Sequence, residues 1–220
     1  MSGKRSLMGM TLLVFGLSWL YPLWPREQAL HSSLTVVGLI LLYWHDRRAA
    51  MTVRAYALVC LFIAAHCLAA RWLYSNVPYD RWMDAMFGWS PGQAWGVTRN
   101  HTDRLIHLLY GVCLTPALVE WLARRYAIAW RQAAQLAVLL VVVSSVAYEW
   151  FEWLIAITLS PQDAEAYNGQ QGDMWDAHKD MLLATIGALC WWPFYRHHEE
   201  TGYTRRLAPT AGGERVLAAR

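Results

Sequence analysis

The sequence predicts an all-α fold, a polytopic bundle of about six transmembrane helices with both termini cytoplasmic. Three observations carry this. Apolar residues make up 56% of the chain against 16% charged, and they fall in long blocks instead of the mixed pattern of a soluble domain. The Lys and Arg residues concentrate between alternate blocks, as a positive-inside arrangement requires. Among the 14 tryptophans, Trp19, Trp24, Trp44, Trp72, Trp121, Trp130, Trp191 and Trp192 lie near block ends, where amphipathic rings meet the membrane interface.

The first block, Leu7–Leu23, follows Lys4 and Arg5 and has the outline of a signal peptide. No small-x-small cleavage site follows, because Tyr21-Pro-Leu-Trp-Pro25 is bulky, so the block reads as an uncleaved span. The second, Leu30–Trp44, falls short of the ~20 residues a crossing needs; it either crosses a thinned region or lies partly in the interface. Thr52–Tyr74 is the third. Arg71–Thr102 is then a long outer loop whose Trp82, Phe87, Trp89 and Trp95 suit a helix or hairpin lying on the outer interface. The fourth and fifth spans are Asp103–Ala123 and Ala129–Leu159, and the sixth is Asp176–Tyr195. The mean hydropathy of +0.19 is diluted by the outer loop and the polar tail. Residues 1–196 form one integral membrane domain. Residues 197–220, with Pro209, Gly212, Gly213 and a basic end, read as a disordered cytoplasmic tail that touches anionic headgroups.

Six spans put most of the 19 basic residues on one side. Lys4 and Arg5, then Arg47, Arg48 and Arg54, then Arg124, Arg125 and Arg131, and finally the arginines from Arg196 onward share that side, which fixes the orientation. The four cysteines (Cys60, Cys67, Cys113, Cys190) all fall inside expected spans without a C-x-x-C spacing, so no disulfide framework is implied. His66 beside Cys67 reads as packing, with a soft metal pair as the alternative.

The chemistry concentrates at one depth. Asp103 and His107 open the fourth span, Glu149 and Glu152 close the fifth, and Asp176 and Asp180 open the sixth. Each pair has helical spacing and so shares a face. Counting ~1.5 Å per residue from the cytoplasmic arginines, all six groups lie roughly 24–31 Å away, just under the outer surface of a hydrocarbon layer about 30 Å thick. Asp-x-x-x-His and Glu-x-x-Glu let one helix donate two groups to one ion. Oxygen-rich donors suit Mg²⁺, Mn²⁺ or Ca²⁺, and His107 admits Zn²⁺ or Fe²⁺. Asp173 adds a carboxylate just before the sixth span, and Gly169-Gln-Gln-Gly172 lets its approach loop turn sharply. Interhelical ion pairing through Arg104 and Lys179, or a proton relay, are the competing readings of the same acids. His101 and His178 point off the main faces. No Walker loop, GxSxG, HExxH, Rossmann glycine pattern or nucleic-acid motif is present.

Asn100-His-Thr-Asp-Arg-Leu-Ile-His107 with Tyr110-Gly111, Tyr148-Glu-Trp-Phe-Glu-Trp153, and Tyr167-Asn-Gly-Gln-Gln-Gly-Asp-Met-Trp-Asp-Ala-His-Lys-Asp-Met181 resemble the three sequence blocks of the YjdF-like bacterial inner-membrane proteins. Gln170 and His178 depart from the Thr and Gln usual there. The resemblance implies a multi-pass protein of the bacterial inner membrane and adds no reaction.

Together these readings lead to an outward-facing acidic site. Its first reading is a metal-dependent enzyme acting on a lipid or lipid-linked substrate, with a divalent ion as cofactor and membrane lipids as partners. Asp103, His107, Glu149, Glu152, Asp173, Asp176 and Asp180 are the candidate metal ligands, and Glu149 and Asp176 the candidate catalytic bases. Asn100, Arg104, Gln171 and Lys179 are the candidate substrate contacts. The alternatives are an ion- or proton-coupled transporter or cation-binding membrane protein, and a noncatalytic assembly factor.

Overall fold

A computed structural model describes residues 2–49 and 51–196; the tail expected at 197–220 lies outside the described residues. All of the regular structure described is helical: α1 (Ser2–Ser18), α2 (Pro25–Ala49), α3 (Val53–Arg71), α4 (Tyr79–Phe87), α5 (Pro91–Trp95), α6 (Thr102–Tyr126), α7 (Trp130–Thr158), α8 (Pro161–Asn168), α9 (Asp176–Leu189) and α10 (Trp192–Tyr195). Three of these, α3, α6 and α7, are long and apolar enough to cross a membrane. Leu139, Val143, Trp150, Trp153 and Ile157 project outward from α7. A continuous apolar face of that kind is tolerable when the surroundings are lipid.

The ends of three elements differ from expectation, each for a local reason. Helix α1 stops at Ser18 instead of running to Leu23. Pro22 disfavours helical geometry at Tyr21, which takes a positive φ of 50°. Arg71 then donates to the carbonyls of Ser18 and Leu20 at the helix end, both at 2.8 Å. Helix α2 starts at Pro25 and has 25 residues, about 37 Å at 1.5 Å each, so it far exceeds the expected Leu30–Trp44. Its charged ends (Arg26, Glu27, Asp46, Arg47) hide that length from a hydropathy reading. The expected sixth span, Asp176–Tyr195, is broken after Leu189. Pro193 supplies no N–H and its ring clashes with the carbonyl four residues back, which is that of Leu189.

The loop between α3 and α6, expected on the outer side, contains two helices, α4 and α5, neither with a buried residue. Helix α4 is capped by Gly88 at a φ of 70°, and Ser90 caps α5 by accepting from Gln93 N. On the opposite side, Thr52 opens α3 and is itself held by Glu120 of α6, which accepts from Thr52 N at 2.8 Å and Oγ1 at 2.5 Å.

Helix α6 is the hub, packing on α3, α7 and α9, while α1 and α2 lean on α3. At the α6–α9 crossing the two backbones come into direct contact. A Cβ on Gly111 would lie 2.0 Å from the Ala184 carbonyl oxygen, and one on Gly187 would lie 2.3 Å from that of Leu108. Small residues let membrane helices approach to backbone contact, and Ala184 and Ala188 complete the seam. Pro116 inside α6 leaves the Val112 carbonyl without its helical donor. Trp191 Nε1 fills that position from just beyond α9, at 2.7 Å.

Candidate functional site

The crossing of α6 on α9 determines which side chains meet. Asp103 and His107 are one turn apart on α6, with His107 Nε2 at 3.6 Å from Asp103 Oδ1. Asp180 comes from α9, one turn beyond the Gly111 contact with Ala184. One donor atom from each of these three lies within 4.8 Å of the others, and all three residues are buried. Two oxygens on opposite sides of a Ca²⁺ ion stand roughly 4.6–5.2 Å apart, so the spread suits a divalent ion with little side-chain movement. Glu149 and Glu152 of α7 stand outside this three-residue group but interact with it electrostatically: Glu149 with Asp180, and Glu152 with Glu149, Asp103 and Asp180.

Above this group lies a second layer. Arg99 pairs with the Asp176 carboxylate and donates to the Gln170 carbonyl. Arg104 pairs with Asp173 and is 3.5 Å from Asp176. Lys179 reaches Asp173 at 2.6 Å. Asp173 also accepts from Trp175 N at 3.1 Å. With Lys179, the Trp175 N–H and Arg104 as donors, the Asp173 carboxyl is held well below the usual carboxylate range.

The loop before α9 owes its shape to left-handed residues. Gly169 and Gly172 have φ of 64° and 78°, and Gln171 between them 53°. A Cβ at Gly169 would lie 2.2 Å from Ser75 Oγ. Asn100 and Gln171 clamp this loop to the start of α6: Asn100 N donates to Gln171 Oε1 at 2.9 Å, and Gln171 Nε2 donates to the Asn100 carbonyl at 3.1 Å. Asn100 Nδ2 donates to the Val77 carbonyl at 2.8 Å. These two expected substrate contacts therefore have most of their hydrogen-bonding capacity engaged within the protein.

The acids thus divide into two layers. The ion-pair alternative describes the outer one, where Asp173 and Asp176 take up Arg99, Arg104 and Lys179. Among the described residues, no Lys or Arg forms an ion pair with Asp103, Glu149, Glu152 or Asp180. Glu149 Oε1 and Asp180 Oδ1 are buried without any hydrogen-bond partner, at 8% and 2% residue exposure. Burying an uncompensated carboxylate costs several kcal/mol at least, so these atoms call for protons or a cation.

Other residues border the site, of which the sequence singles out neither Arg99 nor the buried polar residues of α2. Arg99 lies in the loop, where phase is unreadable. His66 is not paired with Cys67; it hydrogen-bonds the Tyr74 hydroxyl and lines a cavity of about 230 Å³ shared with Asp103 and His107. On α2 the residues Gln28, His31 and Thr35 are buried, and each has a side-chain polar atom without a partner. His31 stacks on Tyr167 at 4.2 Å between ring centroids. The 3- and 4-residue spacing of these α2 groups was a readable signal of a polar buried stripe. His101 precedes the first turn of α6 without a side-chain capping bond, and His178 is exposed against Trp175.

The sequence family described as predicted membrane protein (DUF2238) matches residues 4–200. The chain belongs to this family. It is 33% identical over 146 residues to the inner membrane protein YjdF of Escherichia coli (strain K12), and the aligned part covers 65% of this chain and 65% of that relative. No solved structure matches it. Family membership, the apolar faces of the bundle and three helices of spanning length make it a membrane protein.

Proposed function

We propose that this family member is a six-span protein of the bacterial inner membrane, with cytoplasmic termini and a divalent-cation centre near the outer surface that acts on a lipid or lipid-linked substrate. The observation that carries the reading is the pair of buried, partnerless oxygens of Glu149 and Asp180 in a group with Asp103, His107 and Glu152. A bound divalent ion there would supply Lewis acidity toward a headgroup oxygen. Asp103, His107 and Asp180 would hold the ion, with Glu149 and Glu152 completing its shell or, in the case of Glu149, taking a proton from the attacking group. Asp176 and Asp173, expected as ligands, and Asp176 also as a base, serve better as anchors for Arg99, Arg104 and Lys179. In that position the two guanidinium groups form the roof of the site, facing an anionic headgroup.

Glu149→Gln tests this directly, because the amide keeps the shape and loses the charge. The proposal expects cation binding to be lost while the thermal unfolding of the variant in detergent matches that of chelator-treated wild type. A variant that is strongly destabilised, alongside a wild type indifferent to chelator, favours structural pairing instead.

Ion- or proton-coupled transport is the second reading, favoured by the α2 stripe of Gln28, His31 and Thr35. Its partnerless buried groups suit a file of internal waters, and Thr35 reaches the same cavity as Asp103. Uptake of protons or cations into proteoliposomes that depends on His31 would select it over the enzyme.

A further inference from the structure

We infer that the cavity between α2, α3, α6 and α7 is a lateral slot for one hydrocarbon chain of a membrane phospholipid whose headgroup lies at Asp103 and His107. The cavity holds about 230 Å³, and its walls are apolar along Leu34, Gly38, Phe62, Ile63 and Ile106. On α6, Asp103 stands at one end of it, with His107 one turn further in. Tyr110, also in the wall, is seven residues further along α6 than Asp103, about 10 Å deeper. The slot therefore runs from the carboxylate layer inward, along the direction of a lipid chain.

The slot is open on the side where lipid is found. Helix α2 packs on α3, α6 and α8, and α7 packs on α6, α8, α9 and α10, with no substantial α2–α7 contact among the described residues. Leu34 of α2 and Ser144 of α7 both line the cavity and both are exposed. A chain entering through that seam never leaves hydrocarbon. The volume falls below the roughly 300–1,000 Å³ of pockets that enclose whole small ligands, so it suits a segment of one chain, the second remaining in the bilayer. The apolar part of its wall forfeits dispersion contacts while unfilled, and a chain restores them; the hydroxyls of Thr35, Tyr110, Ser144, Ser145 and Tyr148 line the rest. The inference rests on the proposed cation centre only for where the headgroup sits.

The test uses the full chain in nanodiscs containing phosphatidylglycerol with a diazirine midway along one acyl chain. Ile63 and Ile106 are 5% and 7% exposed, so photolabelling there reports occupancy of the slot, while labelling at the outward Leu139 and Val143 serves as reference. A Cβ on Gly38 meets nothing within 4 Å, so Gly38→Phe should fold and fill the slot; Gly38→Leu repeats the test with a smaller plug. The expected result is label at Ile63 and Ile106 in wild type, reduced at least about tenfold in both variants, with the reference label and cation binding unchanged. Wild type unlabelled at Ile63 and Ile106, or labelled equally in the plugged variants, overturns the inference. Labelling that responds to the plugs in a protein that binds no cation upholds the slot and overturns the cation centre.

Discussion

Replacing Gly111 with alanine should damage the fold and the candidate site together. The new methyl carbon would sit 2.0 Å from the Ala184 carbonyl oxygen and 2.6 Å from Ala188 N. Carbon and carbonyl oxygen ordinarily approach no closer than about 3.3 Å, so α6 and α9 must separate by more than about 1 Å. Both partners are backbone atoms of a packed helix, and no side chain can swing away to relieve the clash. Overpacking of this kind costs about 1–3 kcal/mol. The same shift moves Asp180 away from Asp103 and His107, whereas binding constellations tolerate only about 0.5 Å, so cation affinity should fall about tenfold or more. Thermal unfolding in detergent and calorimetric titration with Mn²⁺ or Zn²⁺ measure the two effects. Gly16→Ala, at a helical position with nothing within 4 Å, is the control and should be neutral or stabilising by up to about 1 kcal/mol. A Gly111→Ala protein that melts and binds like wild type would show that the α6–α9 crossing does not set the site.

Trp191→Phe should cost about 1–3 kcal/mol, because it strands the Val112 carbonyl that Pro116 already deprives of a donor; an unchanged melting temperature would remove that bond from the account. Asp173, whose carboxyl is depressed by Lys179, the Trp175 N–H and Arg104, contributes stability that is present above its unfolded pKa of about 3.9 and lost as pH falls through the lower folded value. The gap in melting temperature between wild type and Asp173→Asn should hold from pH 7 to about 4 and narrow only below that; a gap already closing near pH 5 contradicts the tether. A cysteine placed at Trp89 should react with an impermeant maleimide from outside the cell, and one at Arg125 only after permeabilisation; the reverse pattern overturns the orientation.

Long apolar runs made α3, α6 and α7 legible to within a few residues, since hydropathy and length suffice when lipid is the solvent. Helix rise alone placed the acids of three helices at one level, and Asp103, His107 and Asp180 do meet there. What escaped was set by side-chain phase and by contacts distant in sequence. The pairing of Arg99 with Asp176 joins residues 77 apart, through a loop whose direction no periodicity encodes. Helix α2 was underestimated because its charged ends mask a helix that continues through them. Two features of the sequence do encode part of the remainder: Pro193, which ends α9 by its clash with Leu189, and the Gln28, His31, Thr35 spacing that marks a buried polar face. The Gly111–Gly187 contact is unreadable from one chain, because a glycine inside a span shows what could approach it and not what does.

The cation centre is tested most directly by elemental analysis of the protein purified in mild detergent, alongside Asp180→Asn prepared in the same way. Asp180 is the most buried of the three central groups, at 2% exposure, and has a partnerless oxygen. The account predicts close to one divalent metal per wild-type chain, and background levels in the variant. Wild type with no more metal than Asp180→Asn, and no binding when titrated with Mn²⁺, Zn²⁺, Mg²⁺ or Ca²⁺, would contradict it.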